Sequence, residues 1–227
     1  MTVSKTAQEL VGKTIKDVFK RAEDVAELHS ALSSPRGDYF RLHLLQGLDE
    51  NFDESMMEQG RVDAGVQEYQ RHLNKLLRSG LVVEQEVDGQ KTYTRSVLGE
   101  TAVNAMRELQ KSIGGEEARA IYAASLGPNS IRFFLRIYGD NQDGTWDHPE
   151  VRYTPAEIGR LSLFLPRVIE GVSAIDKLSE AGLMVYRDDG YVYIPPVKAR
   201  GFYRYLRELY EIVRTNGRRN SSRRYQD

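Results

Sequence analysis

One order of residues occurs twice in this chain, and it constrains the fold more than any bulk property. In the first copy, an apolar helical stripe with Leu73 and Leu76 runs into Gly80-Leu81. Val82 to Val87, an Asp88-Gly89 pair and Lys91-Thr92-Tyr93-Thr94 then follow. In the second, Ile175 and Leu178 run into Gly182-Leu183 at the same relative spacing. Met184-Val185-Tyr186, Asp188-Asp189-Gly190 and Tyr191-Val192-Tyr193-Ile194 complete it. A stripe of period 3.6 that gives way across a glycine to two short β-rich runs predicts a helix, a sharp exit and a hairpin. Asp-Gly is a strong signal for the two-residue hairpin turn. Two such units in tandem are therefore expected.

The flanking segments are helical in pattern. Residues 6–30 carry Leu10, Ile15, Val18, Ala22, Val25, Ala26 and Leu28 at helical spacing, and Ser33-Ser34-Pro35 ends the run. A helix is expected at 39–45 and a brief one around Met56-Met57. Further helices are expected from Glu100 to Lys111 and from Ala118 to Ala124. Leu126-Gly127-Pro128-Asn129 marks the boundary. After it come a helix over Ile131 to Tyr138 and a polar loop at 139–150. Thr154-Pro155-Ala156-Glu157 has the residues of a capped helix start. A helix from Arg167 to Ala181 follows, and a closing helix runs from Lys198 to Arg214. The expected fold is mainly α with small β-hairpins. Its segments are an N-terminal amphipathic helix (1–32), a first unit with linker helices (33–126), a second unit (127–196), and a C-terminal helix with an arginine-rich tail (197–227).

Composition removes several function classes. There are no cysteines among the 227 residues, which excludes disulfides, thiolate metal sites and cysteine nucleophiles, and fits a cytoplasmic location. No apolar run approaches the roughly 20 residues that span a bilayer, so no membrane association is expected. The net charge of −1 makes no global case for a polyanion. Its distribution says more, because Arg214, Arg218, Arg219, Arg223 and Arg224 close the chain with no acid among them. That tail reads either as a solvated disordered end or as an arm that reaches phosphates.

The segment Glu68 to Val82, with its His72-Leu73 pair and Gly80-Leu81-Val82 exit, resembles the recognition helix of ArsR-like and MarR-like winged helix-turn-helix regulators. Ser34-Pro35-Arg36 is similar to the opening of that domain, and Tyr153 through Met184 resembles a second helix-turn-helix. The resemblance covers about residues 34–110 and 128–195. It implies two tandem winged helix-turn-helix domains, double-stranded DNA as partner, and a homodimer that meets two half-sites about one helical turn apart. The metal-sensing thiols of ArsR relatives are absent, so metal sensing is not implied.

Off the apolar stripe, the first unit offers Gln67, Gln70, Arg71, Asn74, Lys75 and Arg78. Arginine pairs bidentately with guanine, and Asn or Gln with adenine, so this face has the chemistry of base readout. Lys75 and Arg78 suit phosphates. The second unit offers Arg167 and Lys177, and the tail Arg218 and Arg219. Glu170 and Asp176 beside Lys177, and Asp188 and Asp189 on the hairpin, disfavour phosphate there. A protein-facing role for the second unit is the alternative, which would make the chain a tandem winged-helix adaptor in a transcription or chromosome-organising assembly. Residues 139–150 resemble a calcium loop at Asn141, Asp143, Gly144 and Glu150 but have glycine where the first carboxylate belongs. His29, His43, His72 and His148 lack metal-ligand spacing, and no phosphate loop or nucleophile motif is present. No cofactor and no enzymatic activity are expected. Tyr203-Arg204-Tyr205-Leu206-Arg207 reads as stacking on nucleic acid or as aromatics in a dimer seam between terminal helices.

Overall fold

The computed structural model describes residues 15–33, 66–140, 151–162 and 168–223. Residues 15–20 are helical, and the helix is interrupted at Arg21 before resuming as α1 (Ala22–Leu32). The chain continues through α2 (Val66–Arg78), β1 (Val82–Val87), β2 (Gln90–Arg95), α3 (Val97–Ile113) and α4 (Gly115–Ala123). Next come α5 (Pro128–Asp140), β3 (Val151–Tyr153), α6 (Pro155–Ser162) and α7 (Val168–Glu180). The short strands β4 (Val185–Tyr186) and β5 (Val192–Ile194) lead into the long α8 (Pro196–Arg223). The protein is thus mostly helical with two small antiparallel sheets. The helices expected at 39–45 and around Met56 lie outside the described residues.

The repeated order in the sequence is a repeated piece of geometry. At the end of α2, Gly80 N donates to Leu77 O (3.0 Å) and Leu81 N to Leu76 O (3.0 Å). At the end of α7, Gly182 N donates to Ser179 O (2.8 Å) and Leu183 N to Leu178 O (2.8 Å). This paired closure is the Schellman cap, which needs a left-handed residue at its centre. Gly80 has φ +71° and Gly182 φ +61°, where a side chain would be strained. The leucine after each glycine is fully buried, so each exit is anchored by an apolar residue.

After the first cap the chain forms a hairpin whose turn residues, Asp88 (φ 53°) and Gly89 (φ 78°), both take positive φ. That is the primed turn whose twist matches the flanking strands, and it pairs Val87 with Gln90. The second hairpin pairs Tyr186 with Val192, and Gly190 N donates to Arg187 O (3.0 Å) across its turn. Here the structure adds a strand that the sequence pattern did not reveal. β3 pairs antiparallel with β5, Val151 against Ile194, and gives a three-stranded sheet in the order β3-β5-β4. The helix before it reaches Asp140, so the first two residues of the expected 139–150 loop are helical. The expected capping box is present: Glu157 N donates to Thr154 Oγ1 (3.3 Å), and Thr154 N to Glu157 Oε2 (2.7 Å).

One apolar cluster unites the two halves. It takes in Val25 and Leu28 of α1, Leu73 and Leu76 of α2, Met106 and Leu109 of α3, Phe133 and Phe134 of α5, Leu178 of α7, and Phe202, Leu206 and Leu209 of α8. α8 lies along α3 and α1 and also touches α5. Its aromatic residues are interlocked, with Phe134 edge-on to Phe202 at 4.8 Å and Tyr138 stacked on Tyr203 at 4.4 Å. This corrects the expectation that the apolar stripes of the terminal helices pair two protomers. The described residues of those stripes, from Ile15 onward, are buried within one protomer, and so are Tyr203 and Tyr205. α8 also runs to Arg223, so the backbone of the arginine-rich tail is helical that far.

Candidate nucleic-acid interface

Helix α2 divides cleanly between a buried and an open side. His72, Leu73 and Leu76 are buried, whereas Arg71, Asn74 and Arg78 are exposed. Positions i, i+3 and i+7 lie on one helix face, so these three side chains form a single row about 10 Å long. Neither Arg71 nor Arg78 has an ion-pair partner among the described residues. The Schellman exit turns the chain directly into β1, which places the hairpin against the C-terminal end of this helix.

The other residues expected on this face divide between it and the protein body. Gln70 is half-buried at the rim. Gln67 lies in the first turn of α2, but its side chain is outside the described residues. Lys75 was expected at a phosphate. Its ammonium instead donates to Ser30 Oγ of α1 at 2.8 Å, a tether that helps fix α2 to the body. That contact spans 45 residues of sequence and left no local signal.

The first hairpin beside this row is acidic on its outer surface. Glu84, Glu86 and Asp88 are exposed, with Lys91 bonded to Glu84 at 2.9 Å. The Lys91 hydrogen bond holds the Glu84 carboxyl below its ordinary pKa, so it stays ionised at neutral pH. A hairpin with this charge would be repelled by phosphate.

The second unit presents different chemistry. On α7, Ser173, Asp176 and Glu180 are exposed, and Lys177 donates to Glu180 Oε2 at 2.5 Å. Arg167 lies outside the described residues. On the hairpin, the Arg187 guanidinium sits over the Tyr193 ring at 4.0 Å, and Asp189 accepts bonds from Tyr193 Oη and from Tyr191 N. These bonds keep the Asp189 carboxyl below its usual pKa. Val185 and Tyr186 stand exposed on β4 at 39% and 56%, an apolar pair on an edge strand. Arg218 and Arg219 lie on the last turns of α8, with side chains outside the described residues.

Sequence reasoning picked out Arg204 and Arg207 but missed the longer row of cations to which they belong. Arg200, Arg204, Arg207 and Arg214 are all exposed on α8, opposite Phe202, Leu206 and Leu209. The spacing was present in the sequence, but interspersed glutamates concealed the row from any count of charge. Among the described residues, no three His, Asp or Glu side chains are grouped to hold a metal. No helix among them is long and apolar enough to cross a membrane. The calcium-like loop, Trp146, His43 and His148 lie outside the described residues. No family model, curated protein or solved structure matches the chain.

Proposed function

We propose that this chain is a sequence-specific, double-stranded DNA-binding transcriptional regulator built from two tandem winged helix-turn-helix units. The first unit reads base edges. The observation that carries this reading is the open row of Arg71, Asn74 and Arg78 on a helix whose opposite face is packed into the core. Arginine and asparagine are the residues that pair bidentately with guanine and adenine in a major groove. The doubled Schellman exit and hairpin, and the three-stranded sheet of the second unit, support the winged-helix assignment. In this reading Arg71 and Asn74 specify sequence, and Arg78 sets register on the backbone.

Binding is tested by fluorescence anisotropy against duplexes selected from a random pool, with salt as a variable. Arg71→Ala is expected to weaken the selected duplex by about 1–3 kcal/mol and to leave a scrambled duplex nearly unaffected. Unchanged preference in that variant would remove α2 as the reading helix. Absence of binding to any duplex at low salt would remove the reading altogether.

The second unit favours a different partner. Asp176 and Glu180 on α7, with Val185 and Tyr186 on the edge strand, make a surface suited to protein rather than phosphate. In the regulator it serves contact with a second copy or another protein. If the whole chain fails to bind DNA, this surface makes it an adaptor. In this reading a homodimer uses that surface, because the apolar faces of α1 and α8 are buried within the protomer. Substituting Tyr186→Glu is expected to convert a dimer to a monomer in sedimentation, and an unchanged mass would exclude β4 from the contact.

A further inference from the structure

The solvent face of α8 carries Arg200, Arg204, Arg207 and Arg214, at successive intervals of four, three and seven residues. Those intervals keep the side chains on one helix face. The opposite face is fixed by the burial of Phe202, Tyr205, Leu206 and Leu209, so the row is presented by an anchored helix rather than by a loop. From Arg200 to Arg214 it extends about 21 Å along the axis, close to six base-pair steps of about 3.4 Å.

Burial raises the pKa of the Tyr138 hydroxyl on α5 and of Tyr203, and the positive field of the row opposes the rise, from Arg200, Arg204 and Arg207 at Tyr138 and from Arg207 at Tyr203. Two acids share the helix with them: Glu208 approaches Arg207 at 3.4 Å, and Glu211 meets Arg214 at 2.5 Å. Both pairs are about half exposed and hold their cations weakly. Arg204 has no acid partner among the described residues.

The geometry points to this ridge as a phosphate-backbone contact, separate from the base-reading helix, that grips nucleic acid without regard to sequence. It rests on the proposal that the chain binds DNA. Arginine suits the role because its guanidinium is always charged and forms forked bonds to phosphate oxygens. The division of labour is that α2 chooses the sequence and α8 supplies a large share of the affinity. A helix held by an aromatic core also delivers its cations at little conformational cost, unlike a disordered basic tail.

The test uses the full chain and two 30-base-pair duplexes, one selected and one scrambled, titrated between low and moderate salt. Arg204→Gln/Arg207→Gln/Arg214→Gln should bind both duplexes more weakly by the same factor. Its slope of log affinity against log salt should be shallower by about 2 to 3 units, close to 0.9 per lost phosphate contact. Glu208→Gln/Glu211→Gln should do the reverse and bind both more tightly. An unchanged slope in the triple variant, with Arg71→Ala still reducing preference, overturns the ridge and leaves the regulator reading intact. Loss of all duplex binding by the wild type overturns both. Capture by phosphatidylserine vesicles, lost in the triple variant while its duplex slope is unaltered, overturns the proposal and assigns the ridge to a lipid surface.

Discussion

Gly99→Ala is expected to destabilise the protein by about 3 kcal/mol or more, a lowering of about 6–12 °C in melting temperature for a chain of this size. A methyl group at Gly99 would sit 2.0 Å from the carbonyl oxygen of Leu81 and 3.0 Å from its carbon. An ordinary carbon-to-oxygen approach is about 3.3–3.6 Å. The oxygen cannot easily retreat, because it accepts from Ser96 N at 3.0 Å. Ser96 is itself clamped: its Oγ donates to Gly80 O at 2.6 Å and accepts from Gly99 N at 3.0 Å. Relieving the clash therefore means breaking the cap of α3, opening the Schellman exit of α2, or both. Either movement displaces the hairpin relative to the row of Arg71, Asn74 and Arg78, so the DNA affinity proposed for that row should fall with stability. Gly159→Ala is the control. It lies inside helix α6 with open space around the added methyl, and alanine there should be neutral or stabilising by up to about 1 kcal/mol. Urea unfolding of the three proteins decides the matter. A Gly99→Ala curve coincident with wild type would mean that α3 does not approach Leu81 as described.

The features legible in the sequence are those that depend on near neighbours. Gly80 and Gly182 signal their helix exits because a left-handed residue is required wherever a Schellman cap closes. Asp88-Gly89 signals its turn for a similar reason, and Thr154 with Glu157 needs only three residues of spacing. β3 was invisible because Val151-Arg152-Tyr153 is too short to show alternation and becomes a strand only by pairing with β5, some forty residues later. The extent of α8 was hidden by Asn216 and Gly217, which locally favour a stop, and by the run of arginines, whose like charges repel along a helix. Apolar periodicity in α1 and α8 announced buried faces without naming what covers them. The pattern is the same whether the cover is a second protomer or, as here, other helices of the same chain. The candidate site divides along the same line. Arg71, Asn74 and Arg78 could be placed from helical spacing alone, whereas the diversion of Lys75 to Ser30 depends on where α1 lies.

That position of α1 carries the second large effect, a loss of stability on mild acidification. His29 and Ser30 are consecutive residues that bind different helices: Ser30 accepts from Lys75 of α2, and His29 Nδ1 shares a hydrogen bond of 3.1 Å with Tyr205 Oη of α8. His29 is fully buried, and its Nε2 has no hydrogen-bond partner among the described residues. Burial alone, with no neighbouring anion to support a cation, pushes its pKa from 6.5 down to about 4. Tyr205 is pushed well above its ordinary value by the same burial, so its hydroxyl stays protonated throughout. The folded chain thus excludes a proton that the unfolded chain accepts below about pH 6.5. Above that pH both states are neutral and the full stability is present. As pH falls toward about 4 the unfolded state gains protons first, and stability declines by about 3 kcal/mol in total. The depressed carboxylates Glu23, Glu84, Glu157 and Asp189 begin to lose their contribution only as pH falls into the ordinary carboxylate range, where the unfolded chain takes up protons, so the histidine step is read above about pH 5. Urea midpoints measured from pH 7.5 to 4.5 should show this decline in the wild type. In His29→Gln, which cannot titrate and retains groups able to bond Tyr205, most of the slope between about pH 6.5 and 5 should vanish, whatever the variant's stability at neutral pH. Equal slopes in the two proteins would mean that His29 is hydrated or paired in the folded state, and that the junction of α1 with α8 is looser than its packing implies.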